Sequence, residues 1–140
     1  MAAYTFSVLV ESFVEGYLSD TLGRRRMEKN IKSMNSHIIV CGWGRVGMAI
    51  SRHLGEYKKH DVIIIDISPQ RLSAIDLPNV QGDATDENVL HSAGIERARV
   101  LVTALNADAD NLYVTLTARS MCPGILTLTP VLWEHGYSPW

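Results

Sequence analysis

The residues best suited to chemistry are three glycines spaced Gly42-x-Gly44-x-x-Gly47, with Asp66 following 19 positions after the last of them. Glycines in this spacing leave backbone N–H groups bare where a helix starts, and those groups, with the positive end of the helix dipole, hold a phosphate. Gly42 permits the tight turn, Gly44 lets the backbone approach a pyrophosphate, and Gly47 lets the helix pack closely on the preceding strand. A carboxylate such as Asp66, at the end of the next strand, accepts hydrogen bonds from both ribose hydroxyls and repels a 2′-phosphate. With no arginine immediately after Asp66, NAD(H) or an adenine mononucleotide (ATP, ADP or AMP) is expected rather than NADP(H). The competing role for Asp66, capping the next helix, is already filled by Ser68 with Pro69 at the first helical position.

That chemistry needs a strand before the loop, a helix after it and a second parallel strand ending in the acid. His37-Ile38-Ile39-Val40-Cys41 reads as the first strand and Val62-Ile63-Ile64-Ile65-Asp66 as the second, both apolar enough to be buried on two faces. Further strands are expected at 79–81, 99–104 and 125–129, and helices near 45–56, 69–76, 86–93 and 109–121. Alternation with short links implies an α/β fold, a Rossmann-like doubly wound parallel sheet of about five strands, with right-handed crossovers.

Other polar groups fall at the same edge of that sheet. Arg45, inside the glycine loop, can reach phosphate oxygens. Gly82-Asp83-Ala84-Thr85-Asp86 follows the third strand, where Asp83 is either an acceptor for adenine or ribose or, with Thr85, a helix cap. Thr103, Ala104 and Asn106 follow the fourth strand and face the second half of a dinucleotide, while Asp108 and Asp110 either join them or start a helix. The expected nucleotide-contacting set is therefore Gly42, Trp43, Gly44, Arg45, Val46, Gly47, Asp66, Ile67, Asp83, Ala84, Thr103, Ala104 and Asn106.

The 140 residues fit one domain, and 46% hydrophobic and 20% charged residues with a net charge of −2 describe a globular chain with no basic excess for nucleic acid. Cys41 and Cys122 form no CxxC, and the five histidines make no metal-binding pattern, so no metal site is expected. No tyrosine is followed by lysine four residues later, as a short-chain dehydrogenase requires, so no catalytic residues and no enzyme activity are expected. Ahead of the sheet, Phe6, Leu9, Val10, Phe13, Val14, Tyr17, Leu18 and Leu22 recur at helical spacing, predicting an amphipathic helix over residues 1–22 that ends near Gly23. A basic linker, 23–35, follows with Arg24, Arg25, Arg26, Lys29 and Lys32. Such cations after an apolar helix are what the positive-inside bias puts on the cytoplasmic face of a membrane; a solvated helix end complementing its dipole is the alternative. The lobe itself is read as 36–130, with an atypical tail at 131–140.

Taken together, Ile38-Ile39-Val40-Cys41-Gly42-Trp43-Gly44-Arg45-Val46-Gly47, the Ile64-Ile65-Asp66 acid, the Gly82-Asp83-Ala84-Thr85-Asp86 loop and Ala93-Gly94-Ile95-Glu96-Arg97-Ala98 resemble the N-terminal lobe of RCK domains. RCK, regulator of potassium conductance, is also called the TrkA N-terminal family. The resemblance implies that Gly42, Gly44, Arg45, Gly47, Asp66 and Asp83 line a nucleotide site. It further implies a regulatory lobe on the cytoplasmic face of the cell membrane, coupled to a potassium channel pore domain through the basic linker; a homodimer or larger ring is expected from the edge strand left after Thr129, the apolar Val131-Leu132-Trp133 tail and the apolar stripe of residues 6–22. Some members bind calcium through carboxylates after the fourth strand, where this chain carries Asn106 and Ala107 instead. The alternative reading is an NAD(H)-binding oxidoreductase fragment or redox-sensing domain.

Overall fold

Runs of β-branched residues bounded by glycine, proline and aspartate have little choice but to form buried strands. A computed structural model describes residues 21–55 and 61–130. Within them five parallel strands, β1 (Ile38–Cys41), β2 (Val62–Asp66), β3 (Asn79–Gln81), β4 (Val100–Thr103) and β5 (Leu126–Leu128), form one sheet in the order β3-β2-β1-β4-β5. The helices are α1 over residues 21–33, α2 (Arg45–Gly55), α3 (Pro69–Ser73), α4 (Glu87–Ser92) and α5 (Asp108–Met121), with a short 3-10 turn at Ile95–Arg97. The doubly wound parallel fold expected from the sequence is the fold observed.

Side chains alternate across the strands and so feed two cores. Ile39, Cys41, Ile63, Ile65 and Leu101 point to one face, where Met27, Ile31 and Met34 from α1 and its exit join Leu90 of α4, Ile95, and Val114 and Ala118 of α5. Val40, Val62, Ile64 and Val102 point to the other, under α2 and α3, against Leu72, Trp43 and Ile50. Every residue of β2 is buried, and each isoleucine there stabilises the fold by about 1.5–3 kcal/mol.

Three expectations are corrected. No helix end falls near Gly23: the described helix runs over residues 21–33, because Met27 and Ile31, four apart, give it a face to bury and Arg24, Arg25, Arg26, Glu28, Lys29 and Lys32 favour helix. The segment expected as a linker is therefore mostly helical, whereas residues 1–20 and 131–140, to which the rest of the amphipathic helix and the tail were assigned, lie outside the described residues. Helix α3 is shorter than expected, closing at Ala74, whose N–H bonds back to the Arg71 and Leu72 carbonyls before Leu77-Pro78 turns the chain into β3. Finally, Asp86 rather than Asp83 caps α4, its carboxylate accepting from the Asn88 N–H at 2.9 Å.

Candidate functional site

Register decides what meets at the carboxyl edge of the sheet. Cys41 pairs with Ile65 on one side and Thr103 on the other, so the next residue of each strand, Gly42, Asp66 and Ala104, arrives side by side. The strand order reverses between β1 and β4, the switch point at which open α/β sheets bind ligands. A cleft of about 260 Å³ opens there, between the Gly42 and Gly44 loop, Asp66 and Ile67 after β2, Asp83 and Ala84 after β3, and Ala104 and Asn106 after β4.

Each glycine of the loop has its own steric reason. Gly42 sits at φ 100°, and a Cβ there would lie 2.5 Å from the Ala104 carbonyl oxygen. A Cβ on Gly47 would collide with the carbonyl of Gly42, so α2 can start this close to β1 only with glycine at that position. At Gly44 a Cβ would meet nothing within 4 Å, because that position faces the cleft. The first turn of α2 carries no acidic side chain, leaving its positive dipole end available to an anion.

Asp66 is the polar centre of the site. Its side chain is 3% exposed, yet both oxygens are engaged. Oδ2 accepts from the Trp43 N–H at 2.7 Å, Oδ1 accepts from the Ser68 N–H at 2.8 Å, and the Arg71 guanidinium lies 3.5 Å from Oδ2. The carboxylate thus ties the glycine loop to the start of α3, where Ser68 acts as the cap expected of it. Each carboxylate oxygen retains a further acceptor position for a hydroxyl. Asp83, exposed at the cleft, accepts from the Thr85 hydroxyl at 2.7 Å and the Thr85 N–H at 2.9 Å, and these bonds hold its carboxyl below the usual carboxylate range. On the opposite wall the buried Asn111 grips the loop after β4 with two bonds to the Leu105 backbone, at 2.9 and 3.1 Å.

Not every expected residue comes to the cleft. Thr103 is fully buried and its hydroxyl pairs with that of Thr129 at 2.8 Å, tying β4 to the end of β5. Arg45, the first residue of α2, is exposed and does not line the cleft; nor do Trp43, which packs on the core under α2 and α3, the half-buried Val46 or the buried Gly47. Conversely, Arg71 lines it unforeseen, while Asp110, for which joining the site and starting a helix were the alternatives, does both, lining the cleft from the first turn of α5. The signal for Arg71 was its place in the first turn of a helix opened by Ser68-Pro69, which brings it back over Asp66. Among the described residues no cluster of histidine, cysteine or carboxylate side chains is gathered that could hold a metal. Cys41 lies behind the loop, fully buried, and burial pushes its thiol up to about 12. A larger open groove, about 1160 Å³, runs between α1, α3, β3 and α4, but it has no glycine loop and no buried carboxylate.

Fold and site together define a Rossmann-like lobe whose glycine loop, buried acid and strand-end cleft are arranged as in nucleotide-binding domains. The TrkA-N domain family model matches residues 38–131, and the chain belongs to that family. It is 36% identical to potassium channel protein 1 of Methanocaldococcus jannaschii over 88% of this chain and 38% of that protein, so it spans well under half of that relative. Two solved structures are similar: the C-terminal domain of a Shewanella denitrificans Kef protein in its AMP-bound form (30% identity, TM-score 0.60, 66% of this chain and 56% of that one), and the GsuK channel bound to NAD (25% identity, TM-score 0.59, 69% of this chain and 18% of that one).

Proposed function

We propose that this chain is the nucleotide-sensing regulatory lobe of a potassium channel or potassium transport system, lying on the cytoplasmic side of the membrane and carrying out no catalysis. The observation that carries this reading is the Asp66 carboxylate bonded to the Trp43 N–H of the glycine loop, in a cleft where Gly44 leaves open space. That arrangement suits an adenine nucleotide whose ribose hydroxyls meet Asp66 and whose phosphate sits on the start of α2. Support comes from the AMP-bound and NAD-bound structural neighbours and from the potassium channel relative. Regulation follows if the ligand binds one arrangement of paired lobes better than another, since only differential affinity shifts such an equilibrium. The pairing itself is supported by an exposed apolar surface of Leu112, Tyr113 and Leu116 on α5 with Leu126 and Leu128 on β5. Calorimetric titration with NAD⁺, NADH, ATP, ADP, AMP and NADP⁺ tests the reading. Saturable binding of at least one of the first five, weaker for NADP⁺, is expected; no binding of any adenine nucleotide would overturn it.

A further inference from the structure

At the end of the sheet remote from the cleft, α1 ends against the 3-10 turn that precedes β4. The last carbonyls of a helix have no partner within it and carry partial negative charge. Here the Ile31 carbonyl accepts from the Met34 N–H at 3.1 Å, and Arg97 adds donors from more than 60 residues away: its Nε–H donates to the Met34 carbonyl at 3.2 Å and an Nη2–H to the Ile31 carbonyl at 3.3 Å. In return the Arg97 carbonyl accepts from the Ser36 N–H at 2.8 Å. The surroundings are shaped for this side chain. Gly94, in the left-handed region at φ 72°, keeps the space clear, since a Cβ there would stand 2.6 Å from Arg97 Nη2. His37, buried next to it, donates from Nε2 to the Ala93 carbonyl at 2.8 Å, so the turn is also pinned to the start of β1. Arg97 forms no ion pair with a carboxylate among the described residues; its guanidinium is given over to the helix end.

We infer that Arg97 is a latch that fixes the last turn of α1 to the lobe, so that this helix and the sheet turn as one body. The cations of α1, Arg24, Arg25, Arg26, Lys29 and Lys32, are all exposed, while Met27 and Ile31 reach into the core. Any bending between the lobe and what precedes it is therefore confined to the N-terminal side of Met27. The consequence for regulation rests on the function proposed above; the latch does not.

Amide hydrogen exchange on the whole chain, as wild type, Arg97→Ala and Arg97→Lys, tests it. In Arg97→Ala, exchange over residues 28–36 should quicken about tenfold while β1, β2 and β4 keep their protection and affinity for AMP or NAD⁺ stays within about twofold. Arg97→Lys, which offers a point charge instead of a fork, should fall between the two. Unchanged protection over 28–36 in Arg97→Ala, or acceleration spread evenly over the lobe, would overturn the latch. Should Arg97→Ala fail to fold, the lysine variant decides by the same local comparison: quickening confined to 28–36 supports the latch, and wild-type or evenly raised exchange overturns it. Failure of the nucleotide reading would appear separately, as absence of AMP and NAD⁺ binding in the wild type.

Discussion

Replacing Asp66 by asparagine removes one charge and one acceptor while leaving the side chain's size unchanged. In the native chain both oxygens accept from backbone N–H groups, of Trp43 and Ser68, inside a side chain only 3% exposed. Asparagine keeps one carbonyl oxygen, so one of those N–H groups must face an amide NH₂, a donor against a donor. The cost is that of an unmatched buried donor, about 1–3 kcal/mol. The Arg71 contact adds little, because its guanidinium is 54% exposed and pairs of that kind are worth about 0–1 kcal/mol. For a domain near 100 residues, each kcal/mol lowers the melting temperature by about 4–8 °C, so a fall of about 5–20 °C is expected. Affinity for AMP or NAD⁺ should fall about 5- to 150-fold as the ribose hydroxyls lose an ionised acceptor. Differential scanning fluorimetry and calorimetric titration on one sample measure both. If melting temperature and affinity both match wild type, Asp66 neither braces the loop nor meets the ribose.

Gly44→Val should abolish nucleotide binding with an unchanged far-ultraviolet circular dichroism spectrum, because its side chain fills the cleft rather than the core; undiminished affinity would make the loop a mere turn. Gly47→Ala should instead destabilise the fold by several kcal/mol, read as a lower urea midpoint, because its Cβ collides with the Gly42 carbonyl. His37 is buried and burial pulls its pKa below the usual 6.5, so the unfolded chain takes up a proton that the folded chain does not. Stability conferred by the neutral ring should therefore be complete above about pH 6.5 and decline as the pH falls, and His37→Gln should flatten that decline in urea titrations; identical pH profiles for the two proteins would contradict this. The double variant Leu112→Glu/Leu116→Glu should lower the mass measured by light scattering if α5 pairs lobes, and the wild type should already be a homodimer or larger; a monomeric wild type at tens of micromolar would refute the pairing.

The strands were legible because their cause is local: Ile63, Ile64 and Ile65 in a row can only be buried on two faces. The glycine loop was legible for a similar reason, since spacing alone specifies which glycine turns, which faces a ligand and which packs. What escaped was decided by register and by side-chain reach. Thr103 ends a strand beside the cleft, but its hydroxyl bonds toward β5, which sequence distance hides. Arg71 and Asn111 act by folding back from the helices over residues that precede them, a short chain separation but an orientation that only the built turn reveals. The helical course past Gly23 was hidden because its stabilising partners, Arg97 and the core under Met27 and Ile31, lie far along the chain.

The two cysteines differ in their access to solvent. Cys122, at the end of α5, is partly open to solvent, whereas Cys41 is wholly enclosed, with its thiol held at about 12. An alkylating reagent needs both access and thiolate, and Cys41 offers neither, so a brief pulse at neutral pH should spare it while the more accessible Cys122 is marked first. Because Cys41 pairs on both sides in the middle of the sheet, directly behind the glycine turn, it can be reached only when the sheet opens. Its slow alkylation becomes a clock for opening, and mass spectrometry of that one thiol, with rising nucleotide, would measure how far ligand slows the clock.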